Sequence, residues 1–126
     1  MNSEINLTGS EWDIMKIIWE KQPCTLRQIC DAVKKQHDWS RHAVISFLKR
    51  MEIKGTIYVE DADPVKLYTA AVSQDDAIRQ EMGSTMSRLF NDSPMMMVSY
   101  IAQSNRFTDK EIEQMIDILK EGEDRK

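Results

Sequence analysis

Residues 38–68, DWSRHAVISFLKRMEIKGTIYVEDADPVKLY, decide how the rest of the chain is read. Ser40 is a residue type that caps helices, and Val44, Phe47, Leu48 and Met51 follow it at helical spacing on one apolar face. The opposite face carries His42, Ser46 and Lys49, with Arg41, Ile45 and Arg50 on its flanks and Lys54 near its end. Gly55 supplies a stop. Two β-rich runs, 56–59 and 65–68, then flank the turn-forming Asp61-Ala62-Asp63-Pro64. A helix with a basic outer face that leads into a small hairpin is the pattern of a winged helix-turn-helix. In that arrangement the helix enters the major groove of a duplex and the hairpin lies beside the phosphates.

The preceding residues predict two supporting helices. Thr8 and Glu11 form a capping box with Leu7 and Trp12 as its hydrophobic staple, and Trp12, Met15, Ile18 and Trp19 make the buried stripe. Pro23 ends the connection, Thr25 and Gln28 form a second capping box, and Leu26, Ile29, Cys30 and Val33 face inward. The start of this second helix presents Thr25 and Arg27, and the start of the third presents Ser40, where backbone amides favour anions. Residues 1–72 are therefore read as a winged-helix DNA-binding domain.

Residues 73–126 read as helical. Ile78, Met82, Met86, Leu89 and Phe90 make one stripe, residues 91–94 break it, and Ser93 and Pro94 start an apolar piece containing Met96, Met97 and Ile101. A third capping box, Thr108 with Glu111, opens a helix whose face is Ile112, Met115, Ile116 and Leu119. Three amphipathic helices in a segment this short lack a layer to bury against. A second copy of the chain is the economical partner, so residues 73–126 are read as a helical dimerisation domain and the protein as a homodimer. The abundant methionines suit such an interface better than a Cu(I) site.

A net charge of −4 weakly opposes nucleic-acid binding, so its distribution matters. Residues 1–72 are neutral and the deficit lies in 73–126, while residues 34–54 hold six bases against Asp38 and Glu52. His37 and His42 lack ligand-spaced companions, and Cys24 and Cys30 fit no metal spacing, so no metal or cofactor is expected. The two cysteines read as thiols of a reducing compartment, with thiolate character enhanced at Cys24 by the helix start beside it. No nucleophile elbow, phosphate-cradling glycine loop or catalytic carboxylate pair is present, which argues against an enzyme. The MNSEINL start lacks a signal pattern and no apolar run is long enough to span a membrane, so a cytoplasmic protein without membrane insertion is expected.

The segments LTGSEWDIMKIIWEK, DWSRHAVISFLKRMEIKG, LYTAAV and FTDKEIEQMIDIL resemble the BlaI/MecI/CopY group of bacterial repressors over nearly the whole chain. The resemblance implies a winged helix-turn-helix, homodimers joined through C-terminal helices, and repression from palindromic operator DNA. It also implies, for several members, release when a membrane-bound zinc-protease sensor triggers cutting in the C-terminal region. The bond cut in the β-lactam-responsive members aligns with Ser99-Tyr100, and the copper-responsive members' C-terminal cysteine cluster is absent, since no Cys follows Cys30. Ala43 and Ile45 stand where the family places Thr and Arg base contacts, and the wing tip Glu60-Asp61-Ala62-Asp63 is acidic, with Lys66 its nearby cation.

The sequence reading is thus a dimeric repressor. Arg41, Lys49, Arg50 and Lys66 neutralise phosphates while His42, Ile45 and Ser46 face bases. One alternative is a winged helix that docks a protein partner through Ile45, Ile53 and its acidic wing. A third reading is a repressor that senses a small ligand in a methionine-lined cleft between the winged helix and the C-terminal helices.

Overall fold

The computed structural model describes residues 5–124; residues 1–4 of the MNSEINL segment, and 125–126, lie outside the described ones. In chain order the elements are α1 (Gly9–Lys21), β1 (Cys24–Thr25), α2 (Leu26–Val33), α3 (Arg41–Lys54), β2 (Ile57–Ala62), β3 (Val65–Ala70), α4 (Gln74–Phe90), α5 (Pro94–Ser104) and α6 (Asp109–Asp124). The chain is mostly helical with one antiparallel sheet of order β1-β3-β2. The chain forms two compact units that divide between Met82 and Gly83.

In the first unit, short-range polar bonds set the helix starts. Thr8 Oγ1 accepts from the Glu11 amide at 3.3 Å while Glu11 Oε1 accepts from the Thr8 amide at 2.9 Å. Thr25 and Gln28 repeat this arrangement at 3.2 and 2.8 Å, and Ser40 Oγ accepts from the Ala43 amide at 3.1 Å. Gly55 closes α3 at φ 84°, a left-handed conformation in which a Cβ would be strained.

The core gathers Ile14, Met15 and Ile18 of α1, Ile29 and Val33 of α2, and Val44, Leu48 and Met51 of α3 against Cys24, Ile57 and Tyr68. The α1 stripe is broader than its expected Trp12-Met15-Ile18-Trp19 line, because α1 packs on α2, α3 and β3 together. Ile14 fills the added arc, and the two indoles lie half-buried at its margin, edge to face at 5.9 Å. There Trp19 Nε1 reaches the Val72 carbonyl at 3.0 Å.

The hairpin exceeds the two expected runs. Asp61 and Ala62 pair with Lys66 and Val65, leaving Asp63-Pro64 as the turn. Strand β1 is an addition: Cys24 pairs with Tyr68 and Thr25 with Leu67. Cys24 is fully buried, and burial raises its thiol pKa against the nearby Lys21 charge. The thiolate enhancement expected at that helix start therefore does not arise.

Glu11 is fully buried and joins α1 to α3. Lys54 Nζ lies 2.7 Å from Oε1 and also donates to the Asn6 carbonyl at 3.2 Å, whereas Arg50 Nε stands 3.6 Å from Oε2, which accepts no hydrogen bond. Lys54 thus turns toward α1 instead of joining the outer face of α3. Burial disfavours the ionised carboxylate, but the hydrogen bonds from Lys54 and the Thr8 amide, with the charges of Lys54 and Arg50, outweigh it and hold the Glu11 pKa below its ordinary value.

Further along, Ser73 Oγ caps the Asp76 amide at 3.0 Å, and Ala77, rather than Ile78, is the buried residue of α4. In the second unit Asn91 and Asp92 take φ of 50° and 58°, which these residue types tolerate, and make the break. Ser93 caps the Met96 amide at 3.1 Å with Pro94 as first helical residue, and Thr108 and Glu111 close the last capping box at 3.0 and 3.1 Å.

Replacing Lys54 with alanine leaves a buried carboxylate short of its closest cation and should cost about 2–4 kcal/mol in denaturant unfolding. Because the folded pKa of Glu11 lies below the unfolded one, its contribution is complete above the ordinary glutamate range and is lost as pH falls through the folded value. Glu11→Gln should abolish that acid-side dependence. Wild-type stability in Lys54→Ala would contradict the assignment.

Candidate nucleic-acid interface

Because Val44, Leu48 and Met51 point into the core, α3 turns its other side to solvent. Arg41, His42, Ser46, Lys49 and Arg50 are exposed, and Ile53, 86% exposed, extends the His42-Ser46-Lys49 line by one turn. Ile45 and Ala43 are half-buried on the two shoulders.

Beside that face lies a groove of about 520 Å³. It exists because the β1–β3 pairing sets the start of α2 next to the wing, opposite the flank of α3. Thr25, Arg27, Arg41, Ile45, Lys49 and Lys66, six of the ten DNA-contact candidates, line it. The other four lie elsewhere. Ser40 caps α3, while His42 and Ser46 sit on its exposed face. Arg50 leans over the Phe47 ring, 5.5 Å from its centroid, and toward Glu11. Four cations face one carboxylate in the groove, Glu52, which sequence reasoning did not place there. Its apolar residues, among them Leu48, Val59, Val65 and Tyr68, were also missed, since they come from separate segments that no local periodicity connects.

The approach to α3 is held by stacked rings. His37 Nε2 is 2.8 Å from Asp13 Oδ2, its ring stacks on Trp39 at 3.9 Å with planes 6° apart, and Trp39 rests on Phe47 at 5.0 Å. A chain of contacts thus runs from α1 through the 34–40 connection to the middle of α3. Among the described residues, no three His, Cys, Asp or Glu side chains gather as a metal site, and no helix is long and apolar enough to cross a membrane.

The candidate dimerisation side chains are unevenly covered within one chain. Ile78, Met82, Leu89, Ile101, Ile112, Ile116 and Leu119 are exposed, Leu119 by 66%, whereas Met86, Phe90, Met96, Met97 and Met115 are half-buried. Ser99 and Tyr100 occupy the middle of α5, both exposed, with Ser99 Oγ donating to the Met95 carbonyl at 2.9 Å.

Comparison with known proteins adds an independent finding. The family model described as penicillinase repressor matches residues 7–121. The chain is 24% identical to the penicillinase repressor of Staphylococcus aureus over 118 residues, covering 94% of each protein. It is 22% identical to the methicillin resistance regulatory protein MecI of Staphylococcus aureus strain N315, covering 94% of this chain and 96% of that one. Its fold matches the solution structure of Bacillus licheniformis BlaI, a monomeric form in complex with the blaP half-operator, with a TM-score of 0.53 and 22% identity over 60% of this chain and 93% of that chain.

Trp39→Ala should cost about 2–3 kcal/mol, below the range of about 3–5 for losing a fully buried large aromatic, because the ring is only half-buried. His37→Ala, which breaks a partly exposed pair, should cost less than about 1 kcal/mol. Urea unfolding distinguishes them, and equal losses would contradict the assignment of the larger share to the indole.

Proposed function

The chain belongs to the penicillinase repressor family, and from that premise we propose that it is a homodimeric DNA-binding repressor of a palindromic operator. The observation that carries this reading is the concentration of cations on the α3 face and adjoining groove of a chain whose net charge is −4. Residues 1–72 engage the duplex with α3 in the major groove. Arg41, Lys49 and Lys66 meet phosphates together with the amides at the starts of α2 and α3, and Arg50 serves from the far flank. His42, Ile45 and Ser46 face base edges, with Ile45 suited to a thymine methyl. Residues 73–126 join two copies through their exposed stripes, so that both half-sites are held at high effective concentration. An inducing signal ends repression by weakening that pairing, and cutting at Ser99-Tyr100, triggered by a membrane-bound sensor protease acting upstream, is one such route.

Two experiments test this. In an anisotropy salt titration each phosphate contact should contribute about −0.9 to the slope of log K against log salt. Lys49→Ala should weaken binding to every duplex and flatten the slope by about that amount, whereas substitutions at Ser46 should change sequence preference. A flat response would overturn the reading in favour of a protein-docking surface. In sedimentation equilibrium the full chain should be dimeric, and Leu119→Lys should shift it toward monomer and weaken operator binding. A wild-type monomer would remove the two-half-site arrangement.

A further inference from the structure

The groove between α3 and the wing is more apolar than phosphate contact requires. Its floor is formed by Ile45, Leu48, Val59 and Tyr68, with Val65 of the wing, 47% exposed, closing one side. Its rim carries Arg27, Arg41, Lys49 and Lys66, with Glu52 as the one carboxylate of the lining and Asp61 opposite Lys66 across the β2–β3 ladder. A sugar-phosphate strand would meet the rim but gain little from that floor. The volume of about 520 Å³ lies within the range typical of small-molecule sites, which combine an apolar lining with a few charged groups that fix orientation.

We propose that this groove binds a small amphiphilic anion, a carboxylate carried on an aromatic or short acyl body, and that its occupancy excludes duplex DNA. The apolar body lies on Ile45, Val59 and Val65, and the carboxylate turns to the guanidinium and ammonium groups of the rim. Glu52 makes a second anionic group on the ligand unfavourable at its own end of the groove. Exclusion follows from shared residues, because the rim cations that hold the ligand are those assigned to phosphates. That second half of the proposal rests on the repressor reading; the binding half does not.

Equilibrium dialysis of the full chain with 2-naphthoate, and with the neutral 2-naphthalenemethanol, tests the site. Naphthoate should bind at least about tenfold more tightly than the alcohol, through charge-assisted hydrogen bonds the alcohol cannot make. Val65→Glu, which sets a carboxylate inside the groove, should reduce naphthoate affinity by tenfold or more while circular dichroism stays unchanged. Lys66→Glu, at an exposed position on the rim, provides the same test should Val65→Glu not fold. Equal affinity for the two probes, or naphthoate binding unaffected in the folded variant, overturns the site and points to the exposed tail helices instead. In the second arm, naphthoate at ten times its Kd should weaken duplex binding about tenfold. Bound naphthoate without effect on duplex affinity overturns the exclusion. Naphthoate binding by a protein that binds no duplex even at low salt supports the site and overturns the repressor reading.

Discussion

The buried carboxylate of Glu11 does two jobs that pull in different directions. As the third residue of α1 it completes a capping box with Thr8, a local and inexpensive role. As a fully buried anion it also requires cations, which α3 provides through Lys54 at 2.7 Å and Arg50 at 3.6 Å. Taking an unpaired carboxylate out of water costs several kcal/mol, so the C-terminal turn of α3 is constrained to deliver its amine there. The start of the first helix is thereby tied to the end of the third. At the middle of α3, the Asp13-His37-Trp39-Phe47 chain makes a second tie to the same helix. With its middle and its C-terminal turn both referred to α1, the rotation of α3 about its axis is set, and with it the residues that face solvent.

This division of cations explains the economy of the outer face. Lys54 and part of Arg50 are committed to Glu11, leaving Arg41 and Lys49 on α3, joined across the groove by Arg27 and Lys66. Of the acidic wing residues Glu60, Asp61 and Asp63, Asp61 pairs across the ladder with Lys66, so the wing contributes one cation from its β3 strand, beside an acid, rather than a basic tip. A surface with few phosphate contacts binds one half-site weakly. Under the proposed reading, joining two copies through the exposed tail stripes compensates, which makes regulation through the tails effective without touching the DNA-binding residues.

Much of this was legible in the amino-acid order wherever its physics is local. The three capping boxes, the Ser40 and Ser93 caps and the Gly55 stop each depend on residues no more than a few positions apart, and each occurs as the spacing implies. The inward face of α3 was equally readable. What escaped depends on long-range pairing. Strand β1 has two residues and is defined by its partner β3, some forty positions away, so no alternation could announce it. Lys54 looked like part of a basic face because its partner Glu11 lies 43 positions earlier. Ala77 is buried in place of Ile78, whereas periodicity ranks residues by hydrophobicity and so favours the larger side chain. The groove combines three separate segments and was visible only as scattered candidates.

The most direct measurement is amide chemical-shift mapping of the isotope-labelled full chain as a short duplex is added at low salt. The shifts should concentrate on Arg41 to Lys49, on the start of α2 at Thr25 to Arg27, and on Lys66, while the buried faces of α1 and α3 stay still. Shifts centred on Ile53, Tyr58 and the acidic wing tip, with the outer face of α3 silent, would contradict the placement of α3 against DNA.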